Sequence, residues 1–418
     1  MSENDTDTLQ LPTAGASTPN AAFKVANVPK ISYQDPASIQ TNYAWGTPVD
    51  FVLSRNIGKV LDMVLQIDIV NTGVGAEAGS YLPPTPFWFE RVETSLGGSA
   101  PIETVNKDEC FMETLMYLPL SDFQTIAPQV NINSDGSFVK TSSLANKGIP
   151  SGRYFLPLWS NCANTAQLYL KGFSSDWKLR FFLSTAQPDI ANAGAASTVS
   201  ITGLRILITE AQLAPNVEAR LAYKHSKGVV YETINRIRHV DTNMPTSTSS
   251  IKEYQLTTFS NESSGVLTYF RDGDNRYPNL GRRLKLTTLN FRDAQGNPYY
   301  ATDIDGNYNL FFMSPYAVNK VPINANTLSV YNYLIPFSSH VGAVLEAGKD
   351  LGAYALSGRE KLTLQPAVLP NAAVADGGFK LPADAEGFVP PSVFVAVSYD
   401  YMRFKVKNGN CRVYYNRA

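Results

Sequence analysis

The sequence predicts an all-β protein: two tandem β-sandwiches with a short loop helix and a flexible N-terminal arm. Three observations carry that prediction. Short stretches of alternating apolar and polar residues, punctuated by Gly, Pro and Asn, run from Trp45 to the end of the chain. Helical periodicity is sparse, so the strands have no crossover helices between them and should pair antiparallel. Finally, several segments of the first half recur in the same order in the second.

Residues 1 to about 25 are rich in Ser, Thr, Pro and Ala and poor in aromatics, which predicts an arm that does not fold by itself. In the stretch from Leu61 to Ile69 every odd position is apolar, which places one buried face on a period of two. The stretch from Trp177 to Phe181 repeats the pattern, as do Leu204 to Ile208, Val229 to Ile237, Leu284 to Phe291 and Val393 to Val406. One helix is expected to open at Asn106, with Glu109 as a capping-box partner and Phe111, Leu115 and Leu118 along one face. Between Tyr117 and Gly152 no clear period emerges.

The internal echo pairs Lys59 to Gly75 with Arg282 to Gly296, and Leu156 to Ser160 with Ile335 to Ser339. It also pairs Trp177 to Leu183 with Lys361 to Gln365, and Val199 to Leu213 with Val393 to Val406. One fold used twice is the simplest account, with the joint in Ala214 to Gly228. The expected division is an arm over 1–25, a first sandwich over 26–215 and a second over 216–418.

At 418 residues the chain suits two or three domains, and 44% hydrophobic residues provide ample core. Only 17% are charged, so the surface leans on Asn, Ser, Thr and Gln, which suits extensive protein contacts. With 35 Lys and Arg against 36 Asp and Glu, no global pull toward nucleic acid or anionic membrane is encoded. Cys110, Cys162 and Cys411 are odd in number and widely spaced, which reads as free thiols made in a reducing cytoplasm. The first twenty residues hold acids and no apolar run, so no secretory signal is expected, and the Asn261-Glu262-Ser263 sequon carries no glycan on this reading. No apolar stretch reaches about 18 residues, the length of a membrane-spanning helix.

The search for chemistry predicts no catalytic, cofactor-binding or metal residues. His225, His239 and His340 are the only histidines, and no two stand at metal-ligand spacing, so each reads as structural. Gly73-Val74-Gly75 with Gly79 follows a strand, yet Pro83-Pro84 stands where a phosphate-binding helix would begin, so a hairpin turn is expected. Glu109 and Glu113, one helical turn apart, read as a solvated face rather than as a pair of ligand-facing carboxylates. Asp303, Asp305, Asn307 and Asn309 alternate like calcium ligands, but the Gly is misplaced for an EF-hand and no bidentate Glu follows, so a Gly/Asn hairpin turn is expected. The basic stretch with Arg271, Arg276, Arg282, Arg283 and Lys285 interleaves Tyr269, Phe270 and Tyr277, as single-strand binders do. Asp272, Asp274 and Asn275 interrupt it, and a loop leading into a strand with outward arginines is preferred.

Five segments in sequence carry a family resemblance. They are Asn56-Ile57-Gly58-Lys59-Val60 before the first long strand, Phe87-Trp88-Phe89-Glu90-Arg91-Val92-Glu93 before a Gly-Gly turn, Tyr154-Phe155-Leu156-Pro157-Leu158, Leu179-Arg180-Phe181-Phe182, and Val397-Ser398-Tyr399-Asp400-Tyr401. In this order, from about residue 45 onward, the chain resembles the double jelly-roll major capsid proteins, closest in arrangement to those of tailless, membrane-containing bacteriophages. The resemblance implies two jelly rolls, no enzymatic activity and no cofactor. It implies a homotrimer whose six jelly rolls form a pseudo-hexagonal tile of an icosahedral shell, because two similar sandwiches around a threefold axis give six near-equivalent sides. Neighbouring trimers, penton and minor capsid proteins and an internal membrane are the implied partners, without sequence-specific nucleic acid recognition. The implied location is the virion, after synthesis in the host cytoplasm.

The competing reading is a carbohydrate-binding or carbohydrate-cleaving tandem sandwich, a lectin or a viral fibre. It requires a groove lined by exposed aromatics with paired carboxylates. Trp45, Trp88, Trp159 and Trp177 lie on or beside expected core strands, so their burial decides between the two.

Overall fold

The alternation of apolar and polar residues translates directly into pleated strands. A computed structural model describes residues 28–72, 84–117, 126–133, 139, 149–158, 168–185, 198–271, 284–313, 332–339, 341, 352–367 and 391–415. The expected arm over 1–25 and most of the stretch without a clear period, between Tyr117 and Gly152, lie outside the described residues.

The first half contributes β1 (Val28–Gln34), β2 (Pro48–Leu53), β3 (Lys59–Thr72), β4 (Phe89–Leu96), β5 (Glu103–Asn106), β6 (Gly152–Pro157), β7 (Trp177–Leu183) and β8 (Thr198–Gln212). They form two antiparallel sheets, ordered β1-β8-β3-β6 and β2-β7-β4-β5. The second half contributes β9 (Val229–Asp241), β10 (Lys252–Gln255), β11 (Glu262–Arg271), β12 (Leu286–Arg292), β13 (Ile304–Asp305), β14 (Tyr333–Pro336), β15 (Tyr354–Ala355), β16 (Lys361–Pro366), β17 (Val393–Lys407) and β18 (Asn410–Tyr415). Here β10-β16-β12-β13 faces β14-β11-β17, with β9 on the far edge of β17 and the accessory strands β15 and β18 added.

With β15 and β18 set aside, both halves follow one plan: first-eighth-third-sixth in one sheet, second-seventh-fourth-fifth in the other. That is jelly-roll connectivity, used twice. Three of the four sequence echoes are topological equivalents: β6 with β14, β7 with β16, and β8 with β17. The fourth is corrected. Lys59 to Gly75 contains β3, whose equivalent is β11, whereas Arg282 to Gly296 contains β12, the equivalent of β4. Both segments are strands followed in sequence by glycines, and that local likeness concealed a shift of one strand in the repeat.

Within β3 the buried apolar positions are Val60 and then Met63, Leu65, Ile67 and Ile69. The register against β8 shifts between Val60 and Asp62, a β-bulge that reverses the parity and leaves Leu61 half-buried on the opposite face. In β7 the alternation from Trp177 to Phe181 is clean, with Lys178 and Arg180 outward.

The expected helix runs Lys107–Tyr117, and the carboxylate of Glu109 accepts the Asn106 backbone N–H at 2.6 Å, as a capping box requires. Phe111 is buried, while Leu118 and the side chain of Leu115 lie outside the described residues. A second helix, Pro215–Lys227, fills the joint that sequence left without structure. Pro215 opens it at a position where a missing N–H costs nothing, Val217, Leu221 and His225 form its buried stripe, and Gly228 at φ +123° ends it.

Strand β17 is the wall that both halves share. Val393, Val395, Val397, Tyr399 and Tyr401 belong to the core cluster of the first half, while Phe394 and Ala396 belong to that of the second. Beyond Tyr401, the residues Met402, Phe404 and Val406 pack into the first core as well, with Phe404 edge-on to Trp177 at 5.7 Å. A run of ten buried residues in one strand is what a strand covered on both faces looks like in sequence.

Candidate functional site

The residues singled out from sequence for chemistry do not converge on one cleft; Glu109 and Glu113 meet partners at the seam between the halves, and the histidines lie elsewhere. Glu109 and Glu113 are 1% and 0% exposed, so the expected solvated face is corrected. Their helix lies against β9, which presents Arg236 and Arg238 on its near face. Arg236 binds Glu113 through two nitrogens, Nη2 reaching Oε2 at 2.8 Å, and also pairs with Glu103 of β5. Arg238 donates to Glu109, from Nε at 2.9 Å, and Arg271 pairs with Asp108 at 3.7 Å. Helix and strand thus meet through forked guanidinium–carboxylate contacts, the geometry Arg forms and Lys cannot.

Burial, partly offset by Arg236, pushes the Glu113 carboxyl up to about 7. Burial also pushes the Cys110 thiol, on the same helix, well above its ordinary range. All three carboxylates of the helix, Asp108, Glu109 and Glu113, face arginines of the second half, so this cluster is built as a lock between halves.

A second polar group, which sequence reasoning missed, sits on the inner face of the β9-β17-β11 sheet. Asp400 is fully buried, accepts from Asn261 Nδ2 at 2.9 Å and from the Ser398 hydroxyl, and the Ser263 hydroxyl lies 2.8 Å from that of Ser398. Burial raises the Asp400 carboxyl to about 6 against these hydrogen bonds. Asn261, the sequon asparagine, is therefore a buried donor at 8% exposure, with its amide turned to a carboxylate. Nothing in the local sequence marks Asp400 as buried except its place in a run of core residues.

The histidines separate. His225 is held by Leu221 O and the Tyr231 hydroxyl, each at 2.7 Å, with its ring lying over Gly172. His239 is buried beside Phe259, and burial lowers its pKa. His340 lies outside the described residues, as do Gly73, Val74, Gly75 and Gly79. Asp303 accepts from Asn290 Nδ2 at 3.0 Å and Asp305 caps the Asn307 and Tyr308 backbone amides, so both carboxylates serve the fold. The segment is a strand entering a helical turn, Gly306–Tyr308, and not the expected hairpin, because Asp305 takes the N-cap position. Among the described residues no group of three or more His, Cys, Asp or Glu side chains is placed to hold a metal.

In the basic stretch, Tyr269 and Phe270 are core residues at 1% exposure, unavailable for base stacking. Arg271 faces Asp108 and not solvent, which corrects the outward arginine expected there; Arg276, Tyr277, Arg282 and Arg283 lie outside the described residues. Cys110 and Cys411 are free thiols, and Cys162 lies outside.

Trp88 and Trp177 are 0% and 1% exposed, and the half-buried Trp45 donates its indole N–H to Val199 O at 2.9 Å; Trp159 lies outside the described residues. No family model and no curated protein matches the chain. Solved structures do. The PBCV-1 virus capsid matches with a TM-score of 0.65 at 15% identity, covering 94% of this chain and 98% of that one. The cryo-EM structure of the Sputnik virophage matches with a TM-score of 0.60 at 10% identity, over 98% and 93%. The Faustovirus major capsid protein matches at 0.56 and 8% identity, over 96% and 93%. The chain has the double jelly-roll fold. The double jelly roll here is whole, since each match spans nearly the full length of both chains, and the sequence identities confine the likeness to the fold.

Proposed function

We propose that this chain is the major capsid protein of an icosahedral virion, a structural subunit without enzymatic turnover. The observation that carries the reading is that two complete jelly rolls, fused through one shared wall, match capsid subunits end to end. The subunit assembles as a homotrimer whose six jelly rolls form a pseudo-hexagonal tile. Its partners are neighbouring trimers, penton and minor capsid proteins at the vertices and seams, and an internal membrane below the shell. It is made in the host cytoplasm and resides in the virion. The jelly rolls occupy 26–215 and 216–418, and residues 1–25 form the arm. The structures named above come from PBCV-1, the Sputnik virophage and Faustovirus, and the proposal does not depend on a bacteriophage source.

The carbohydrate reading finds no exposed tryptophan among the described residues, since Trp88 and Trp177 are interior and Trp45 is tied to the backbone of β8. Light scattering behind a sizing column over a range of concentrations tests the proposal. A concentration-independent particle near three times 45.8 kDa, or spontaneous shells, is the expected result. A monomer at every concentration would overturn it.

A further inference from the structure

Beyond Met402, β17 leaves β11 behind and continues as a ribbon between β9 and β18. The register fixes which side chains share its outer face. Arg403 stands opposite Tyr414 and Glu232, Lys405 opposite Arg412 and Val230, and Lys407 opposite Asn410. All four cations on this face are exposed, and so are Val230 at 52% and Tyr414 at 45%. Arg403 pairs with Glu232 at 3.0 Å, whereas Lys405, Lys407 and Arg412 make no ion pair among the described residues. In a chain whose formal net charge is -1, this is a local concentration of unmatched positive charge with an apolar and an aromatic side chain set within it.

The complementary charge is in the same sequence. Residues 1–23 hold Glu3, Asp5 and Asp7 and no Lys or Arg, with Leu9 and Leu11 directly after the acids. The topology places this segment within reach. Val28, the first residue of β1, pairs with Gln212 at the end of β8, and three residues later Pro215–Lys227 begins. That helix ends where the Asn408 N–H donates to His225 O, at the turn joining β17 and β18. Its thirteen residues span about 20 Å. Twenty residues of extended chain reach roughly 65 Å, about three times that distance.

We infer that the acidic N-terminal segment of each chain docks on the cationic outer face of its own β9-β17-β18 ribbon, Glu3, Asp5 and Asp7 meeting Lys405, Lys407 and Arg412. Leu9 and Leu11 then fall on Val230 and Tyr414. The inference is independent of the capsid reading, because it concerns contacts within one chain.

Zero-length carbodiimide cross-linking of the full-length protein, read by mass spectrometry, tests it. Links from Glu3, Asp5 or Asp7 to Lys405 or Lys407 are expected. Their yield should fall roughly fivefold between 0.1 M and 1 M salt, as the screening length drops from about 10 Å to about 3 Å. Arg412→Glu, which leaves both reactive lysines in place, should lower the yield severalfold. In a mixture of 14N- and 15N-labelled protein the linked peptides should carry a single label. Absence of these links, or a yield that ignores salt and Arg412→Glu, would overturn the proposal. Mixed-label links would assign the face to a second copy. Retention of the protein on phosphatidylserine vesicles without such links would assign it to a membrane; either outcome sinks the intrachain contact.

Discussion

Arg236, on the first strand of the second jelly roll, grips both carboxylate oxygens of Glu113, on a helix of the first. The pair is almost fully buried, at 4% and 0% side-chain exposure, and Glu103 shares the same guanidinium. Removing one partner of such a pair leaves an uncompensated charge in the interior. Arg236→Met should therefore destabilise the protein by about 3–5 kcal/mol. The double variant Arg236→Met with Glu113→Leu should recover part of that loss, and urea unfolding of the three proteins measures both effects.

The buried carboxyls predict a stability that falls with rising pH. Glu113 moves from 4.5 to about 7 and Asp400 from 3.8 to about 6 on folding, burial being the first cause of each. The native state thus holds these protons more tightly than the unfolded chain. Their stabilising contribution is complete below the unfolded values and is lost as pH rises through about 6 and 7. Thermal unfolding midpoints should decline from pH 5 to pH 8. Glu113→Gln should flatten the upper part of that decline and Asp400→Asn the lower part.

Gly172 gives the sharpest steric prediction. A Cβ at that position would lie 2.2 Å from His225 Cδ2, so Gly172→Ala must expel the imidazole from its bonds to Leu221 O and the Tyr231 hydroxyl. A loss of about 1–3 kcal/mol is expected. Because the clash needs the ring, Gly172→Ala combined with His225→Ala should cost less than the two single changes added together, in the same unfolding assay.

Trp177 packs edge-on to Phe173 at 5.4 Å and to Phe404 at 5.7 Å, joining the loop before β7 to the strand that closes both cores. Trp177→Ala should open a cavity costing about 3–5 kcal/mol, whereas Trp177→Phe should retain most of the stability. Intrinsic fluorescence and denaturation midpoints distinguish the two.

Much of the fold was legible because a strand with one buried face writes itself in alternate residues. Trp177 to Phe181 and Met63 to Ile69 are buried on the positions the alternation predicts. The slip at Leu61 shows where such reading stops: a bulge adds one residue to one strand and is recorded only in the partner's register. The joint helix did leave signals, Pro215 at its start, Val217, Leu221 and His225 one turn apart, and Gly228 at its end. They fall in the short link between two long strands, where the strand pattern on either side drew the reading toward a plain connection. The environment of the helix carboxylates was not legible at all. Glu109 and Glu113 meet Arg238 and Arg236 across 129 and 123 residues of chain, and no local pattern reports a partner so distant. The same holds for Asp400, whose neighbours Asn261 and Ser263 lie just before and within β11, far along the chain.

The sharing of β17 also sets a timetable for the nascent chain. Ile208, the last first-half core residue before the joint, precedes Val393 by 185 positions, yet Val393 to Val406 form part of the same core. At 5–20 residues per second a ribosome needs roughly 10 to 40 seconds to cover that gap. During that interval the first half exists with one wall open, its aromatic floor around Trp177 awaiting Phe404. The first half therefore cannot complete its core ahead of the second, so a subunit interrupted before β17 presents an unfinished surface to chaperones and proteases instead of a tile fit for assembly.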